Sequence, residues 1–385
     1  MTRPLVVVCS GTSWDDVVGP PKLLATALRA HADILWVDPP LSMLTGPEHR
    51  HGAGRWPRVR LRPVDTGITR LTPVALPGHT RALVRESTAA LLRPQIRWAV
   101  RRLGRDRPHA VIGGFTDLFR GWPPKVRRVV YGTDDFVAGA HLMGLSPAWL
   151  ARLERRMIPR ADLVVSVSEP LTARWRRLGG RVITVPNGVQ TSAYRQPDTA
   201  AIALPEPLAA PVVGVVGNIT ERIDISMLEA LVDDGLSLLL VGPIESTWEP
   251  DRVAALLARP QVCAAGPQPF EAVPGYLKHI DVGLTPYRDT EFNRACFPLK
   301  TLEYLAAGLP VVSTDLPAVR WLGTDLIAVA DTPSEMVAAV RKVAAEAHDP
   351  ARVAARVEFA EQHSWASRAA TVAEAIDLPA AAGSR

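Results

Sequence analysis

Twice along this 385-residue chain, short strand-like runs alternate with stretches that place apolar residues at helical spacing. In the first half, strands are expected at Leu5–Cys9, Ile34–Val37, Ala110–Ile112, Arg128–Tyr131, Leu163–Val167 and Val182–Val185. Helices are expected over Pro20–His31, Arg81–Leu103 (with a break near Pro94) and Pro147–Ile158. Continuously apolar strands separated by helices must be covered on both faces, which points to parallel sheets. Residues 196–211 are rich in Pro and Ala without periodicity and read as a linker. The alternation then restarts, with strands at Val212–Val216, Leu238–Val241, Val262–Ala264, Val282–Thr285 and Val311–Ser313. Helices are expected near Ile225–Leu231, Arg252–Ala258, Pro274–His279 and Leu299–Ala307, and three more between Ser334 and Ile376. The pattern predicts an α/β protein of two Rossmann-like domains, 1–195 and 212–385, with strand ends opening into a shared cleft.

Composition narrows the functional classes. With 47% hydrophobic and 22% charged residues the chain is globular rather than disordered. Its apolar runs are far shorter than the roughly 18–20 residues that cross a bilayer, and the first residues lack the apolar core of a signal peptide. Three distant cysteines (Cys9, Cys263, Cys296) build neither a disulfide framework nor a thiolate zinc site. A cytoplasmic protein is therefore expected. Residues 1–200 carry 30 basic against 15 acidic side chains, whereas 201–385 carry 14 against 24. A basic half faces something anionic: nucleic acid, anionic lipid or a phosphorylated substrate. No zinc-finger spacing or aromatic RNP-type strand is present, so nucleic acid is not expected. Only five of the 44 basic residues are lysine, and a general preference for arginine accounts for the same excess.

The segment Phe297–Ser313 holds the most chemistry. It reads as a loop, a helix starting near Leu299, a Gly308 cap and a buried strand. A helix N-terminus offers N–H groups and the positive end of a dipole to an anion. Pro298, Leu299 and Thr301 shape that tip, Lys300 adds a full charge for a diphosphate, and Glu303 can accept from vicinal ribose hydroxyls. Lys300 and Glu303 are equally an ordinary solvated pair on a helix, the plainer reading of the residues alone. The loop Gly214–Arg222 follows a strand: Gly217 lets backbone approach a pyrophosphate, Asn218 lies beside it, and Arg222 can clamp phosphate. A Gly-x-x-Gly loop is otherwise just a tight turn.

The 297–313 segment resembles the nucleotide-sugar site of the GT-B glycosyltransferase superfamily. It is similar to teichuronic-acid-type and other cell-surface polysaccharide glycosyltransferases, with their Pro-x-Lys-x-x-Glu-Tyr-x-Ala-x-Gly-x-Pro-Val-Val pattern. Val185–Val189 resembles the family's Pro-Asn-Gly-Val element, and Gly214–Asp224 its glycine loop. Val241–Pro243, Gly266–Pro267, Tyr276–Pro286 and Ser364–Trp365 follow in the family's order. The match spans about residues 160–370 well; in the first half its best anchors are Val37–Pro40 and Tyr131–Phe136. The resemblance implies a GT-B fold and hexosyl-type transfer from a nucleoside-diphosphate sugar to a hydroxyl of a cell-envelope glycan or lipid-linked precursor. An epimerase of the same architecture and a non-catalytic nucleotide-sugar-binding partner are the alternatives. One departure stands out: retaining members commonly have a second glutamate eight positions before the ribose-binding one, and here that position is Ala295. The donor-sugar contact of that carboxylate is not carried over.

A transfer needs a group to take the acceptor's proton. Asp134 and Asp135, after the Arg128–Tyr131 strand, are the candidates; one of them is also expected to cap a helix over Phe136–His141. After the first strand, Gly11 and Thr12 are placed to hold acceptor or phosphate, and Trp14 offers a stacking face for a sugar. This loop is not a dinucleotide fingerprint, so no nicotinamide cofactor is expected. His49–His51 has no metal-ligand spacing, and no Asp-x-Asp occurs; Lys300, Arg222 and helix N–H groups are expected to serve without metal or further cofactor. Two helices carry arginine stripes: Arg93, Arg97, Arg101 and Arg105 beside Leu92, Ile96, Val100 and Leu103, and Arg152, Arg155, Arg156 and Arg160 beside Leu150, Leu153 and Met157. They read as solvated outer faces or as a peripheral docking face for anionic lipid at the inner membrane surface.

Overall fold

The computed structural model describes residues 3–381 apart from 17, 47–49, 51–55, 78–83, 115, 195–200 and 206. His49, His51 and the first residues of the expected 81–103 helix lie outside the described residues. The chain divides into two compact units, Met1–Pro186 with Arg368–Arg385, and Asn187–Ser367.

In the first unit, β1 (Leu5–Cys9), β2 (Asp33–Val37), β3 (Arg60–Asp65), β4 (Ile68–Thr72), β5 (Ala110–Gly113), β6 (Arg127–Gly132), β7 (Leu163–Ser166) and β8 (Val182–Thr184) form one sheet. Its order is β3-β4-β2-β1-β5-β6-β7-β8. Neighbours run parallel except for β3, which pairs antiparallel with β4. Neither of these two strands is apolar enough to be expected from sequence. β3 is an exposed edge strand carrying Arg60, Arg62 and Pro63, residues that blunt an edge against further pairing. The helices are α1 (Pro20–Leu28), α2 (Arg85–Arg102), α3 (Pro147–Met157) and α4 (Glu169–Arg177). Prolines at the starts of α1, α3 and α4 sit where a missing N–H does no harm. α2 runs unbroken through Pro94: that residue faces solvent, where water can take the carbonyl it leaves unpaired. Leu92, Ile96 and Val100 pack inward while Arg101 faces out, as an amphipathic helix requires.

In the second unit, β9 (Val212–Val216), β10 (Ser237–Val241), β11 (Val262–Gly266), β12 (Val282–Thr285), β13 (Val311–Ser313) and β14 (Ile327–Val329) form a parallel sheet ordered β11-β10-β9-β12-β13-β14. Around it lie α5 (Ile225–Asp233), α6 (Pro250–Leu257), α7 (Val273–Leu277), α8 (Glu291–Ala295), α9 (Leu299–Ala306), α10 (Pro317–Leu322), α11 (Pro333–Ala344) and α12 (Pro350–Gln362). The core joins Val213, Val215, Leu238, Leu240, Val282 and Leu284 of the sheet to Leu228 and Leu231 of α5 and Met336 and Val340 of α11. The last helix, α13 (Trp365–Ala375), carries the chain back into the first unit.

The boundaries differ from the sequence expectation. Described residues of the expected 196–211 linker belong to the second unit, where His279 Nε2 donates to the Ile202 carbonyl at 2.6 Å. Residues 368–385 close the first unit: His109 Nε2 donates to Ile376 O at 2.6 Å, and Arg127 pairs with Asp377. Both contacts link positions far apart in the chain, which local composition does not reveal.

Candidate functional site

α9 is fixed to the sheet before any ligand is considered. The Tyr304 hydroxyl accepts from Val216 N–H at 2.8 Å and donates to the Gly214 carbonyl at 3.3 Å. Its ring fills the place of a side chain at Gly283, where a Cβ would come within 2.3 Å of it. The preceding loop is held from the other side, since Asn187 Nδ2 donates to the Phe297 carbonyl at 2.9 Å. Pro298 caps α9 without a side-chain hydrogen bond. Lys300 Nζ pairs with Glu303 Oε2 at 2.6 Å, and Glu303 is buried. Gly217 adopts φ +119°, a conformation glycine tolerates, and a Cβ there would meet Lys300 Cε at 3.2 Å. Gly217, Lys300 and Glu303 therefore lie together, with Asn218 exposed on the same loop and Pro298 and Leu299 half-buried. Thr301 differs from expectation: its side chain is fully buried, so only its backbone can face a ligand.

Arg222 is more tightly engaged than a free phosphate clamp. Its Nε donates to Asn293 Oδ1 at 2.9 Å, and its guanidinium lies over Tyr287 at 5.1 Å and Phe292 at 4.9 Å. Asn293 is itself buried and donates to the carbonyls of Arg222 and Arg288. Ala295, where retaining relatives commonly have a glutamate, is buried beside it on α8.

In the first unit, the loop after β6 separates Asp134 from Asp135. Asp135 is buried; its Oδ1 accepts from Val137 and Ala138 N–H at 3.1 and 3.0 Å, and its Oδ2 from Arg174 at 2.5 Å. Both of its oxygens are occupied, whereas the sequence left Asp134 and Asp135 both open. Asp134 is half-buried, and its charge adds to burial in raising the Tyr131 hydroxyl. The expected Phe136–His141 helix is instead a turn followed by a single 3₁₀ turn over Ala140–Met143.

The loop after β1 is built on a buried ion network. Arg70 of β4 donates to Asp38 Oδ2 at 2.5 Å, Asp15 Oδ2 at 2.6 Å and Ser13 Oγ at 2.7 Å. Asp38 also accepts from Thr72, the Trp36 indole and Trp14 N–H. Trp14 differs from the expected sugar platform: Trp36 packs edge-on against it at 5.3 Å, and Lys22 Nζ sits over its ring at 4.8 Å. Gly11 and Thr12 remain exposed. Among the described residues, no three His, Cys, Asp or Glu side chains group as metal ligands, and no helix is long and apolar enough to cross a membrane.

Residues 210–346 match the family described as Glycosyl transferases group 1. That segment is similar to group 1 glycosyl transferases. It is also 34% identical over 225 residues to TuaH of Bacillus subtilis (strain 168), a protein named for teichuronic acid biosynthesis glycosyltransferase. That match covers 55% of this chain and 56% of the relative, so it spans little more than half of either. Among solved structures, sucrose-phosphate synthase from Thermosynechococcus elongatus aligns with a TM-score of 0.72 at 16% identity, over 97% of this chain and 98% of that one. An E. coli trehalose-6-phosphate structure bound with UDP-2-fluoro glucose aligns at 0.68 and 13% identity, over 97% and 98%. At such identities these likenesses show the fold, the two-domain GT-B architecture.

In the second unit, sequence reasoning passed over Tyr194, whose hydroxyl is out of solvent; burial and the Glu303 carboxylate beside it raise its pKa well above the usual phenol range. Its ring packs edge-on against Phe270 at 6.4 Å. In the first unit, the Arg70–Asp38 and Arg174–Asp135–Glu154 networks were also missed. Only Asp38 and Asp135 fell within quoted motifs, and their partners lie 32 and 39 residues away.

Proposed function

We propose that this protein transfers a sugar from a nucleoside-diphosphate donor to a hydroxyl of a cell-envelope glycan or lipid-linked precursor. The observation that carries the reading is the convergence of Gly217, Lys300 and Glu303 at the N-terminal tip of α9. A diphosphate there meets backbone amides, the helix dipole and a lysine ammonium, which together neutralise charge on the leaving group. The Nη groups of Arg222 add to this from the glycine loop. Glu303 accepts from the ribose once Lys300 turns to the diphosphate. Asp134 takes the acceptor proton, since Asp135 is spent on its own loop. The relative named for teichuronic acid biosynthesis supports a surface-polysaccharide acceptor. The exposed arginines of α2 and α3 support peripheral contact with anionic lipid.

The test is a thermal-shift panel of UDP, GDP, dTDP and ADP, followed by nucleotide release from the matching sugars. A ligand that binds only the folded state raises Tm, and raises it more the more its concentration exceeds its Kd. One nucleotide is expected to stand out, and its sugar to release nucleotide on turnover. No shift with any nucleotide, or sugar inversion with nucleotide retained, overturns the reading.

A further inference from the structure

Arg222 closes on itself through a single neighbouring amide. Its Nε donates to Asn293 Oδ1 at 2.9 Å, and Asn293 Nδ2 donates back to the Arg222 carbonyl at 3.0 Å and to the Arg288 carbonyl at 2.9 Å. The guanidinium is thereby tied to the backbone of its own residue. Both amide N–H groups are used, and the flipped amide would set its nitrogen against Nε–H and its oxygen against two carbonyls. The backbone around this ring is fixed separately: Arg288 N–H donates to the Arg222 carbonyl at 2.8 Å, and Ile223 bridges to Tyr287. Asn293 is itself placed by Thr290, which caps α8 and accepts the Asn293 N–H at 3.2 Å. The Tyr287 and Phe292 rings lie against the guanidinium. Among the described residues, nothing takes up either Nη of Arg222. Asn293 is 1% exposed and cannot meet a ligand directly.

We propose that Asn293 is a positioning residue for Arg222: it holds the guanidinium in one rotamer by Nε and leaves both Nη groups to the diphosphate of the donor. The inference rests on the nucleotide reading above and deepens it. An arginine that clamps phosphate from a mobile start gives up rotamer freedom on binding; one held beforehand loses little, so affinity rises with no new contact to the ligand. A merely architectural Asn293 would tie α8 to the glycine loop whatever residue stood at position 222.

A double-mutant cycle on the full chain reads that difference, with calorimetric Kd values for whichever of UDP, GDP, dTDP and ADP binds. Asn293→Leu keeps the shape of the side chain without its hydrogen bonds and is expected to raise Kd about three- to tenfold, the cost of ordering one long side chain. Arg222→Met raises it about tenfold or more, because charge-assisted hydrogen bonds to phosphate are lost. Adding Asn293→Leu to Arg222→Met changes Kd by less than about twofold, since the amide then has no guanidinium to hold. Asn293→Leu costing the same factor in both backgrounds, or binding like wild type, overturns the proposal. An unaltered Kd in Arg222→Met does so too, and leaves the nucleotide site at α9 standing. Wild type that binds none of the four diphosphates overturns the functional reading and this proposal with it. Should Asn293→Leu not fold, Asn293→Ser, small enough to admit water at both carbonyls, takes its place in the cycle and the same outcomes decide.

Discussion

The two units place their functional side chains by opposite means. In Asn187–Ser367, Lys300 and Glu303 are three residues apart on one helix, and Gly217 meets them from the neighbouring loop. In the first unit, the loop bearing Gly11 and Thr12 depends on Arg70, which lies 32 residues from Asp38, 55 from Asp15 and 57 from Ser13. A site written into one helical turn keeps its geometry as long as that helix is docked. A site written across three segments exists only when the whole unit is folded, and its charges then stabilise or destabilise together.

The strongest way to break this contrast is Arg70→Met. It leaves Asp38, 3% exposed, without its counter-charge, and the expected loss is about 3–5 kcal/mol. Denaturant unfolding followed by probes of each unit should show the first unit weakened while nucleotide binding at α9 survives; lost nucleotide affinity in protein that is still folded would end the contrast. Next comes Glu303→Ala, which removes a carboxylate from the proposed nucleotide site. Hydrogen bonds to charged groups are worth about 1.5–3 kcal/mol, so the nucleotide Kd should rise about 10- to 100-fold by calorimetry. An unchanged Kd would remove the site assignment. Gly217→Ala should cost about 1–2 kcal/mol through its positive φ and press on Lys300, lowering both Tm and nucleotide affinity.

The smallest effect is a pH dependence. The hydrogen bond from Arg128, with a backbone N–H and the nearby positive charge, holds the Asp162 carboxyl below its ordinary range. A depressed carboxyl adds stability that is complete above the ordinary carboxylate range and is lost as pH falls through the folded-state value. Because the pair is partly solvated, the contribution is about 0.2–1 kcal/mol. Unfolding at neutral and at strongly acidic pH should show Asp162→Asn losing stability relative to wild type only at neutral pH. An equal loss at both would assign the pair to packing.

These features differ in how visible they are in sequence. The parallel strands were legible because burial on both faces makes Leu5–Cys9 or Val212–Val216 apolar throughout. The tip of α9 was legible because its residues are neighbours in the chain. β3 and β4 were not: an edge pair rich in arginine lacks the apolar signature, although Arg70 turns out to be the centre of a buried network. The different surroundings of Asp134 and Asp135 were equally hidden, since Arg174 reaches Asp135 from α4. Thr301 and Trp14 looked available because sequence shows a residue type without the neighbours that cover it.

The passage of the chain between units at Pro186/Asn187 and again at Ser367/Arg368 bears on biosynthesis. The middle unit is one contiguous segment and has every residue it needs before translation ends, whereas its sister waits for Ile376 and Asp377 to reach His109 and Arg127. The middle unit can therefore close on one contiguous stretch of chain, while the first unit is completed only by residues that lie beyond the middle one.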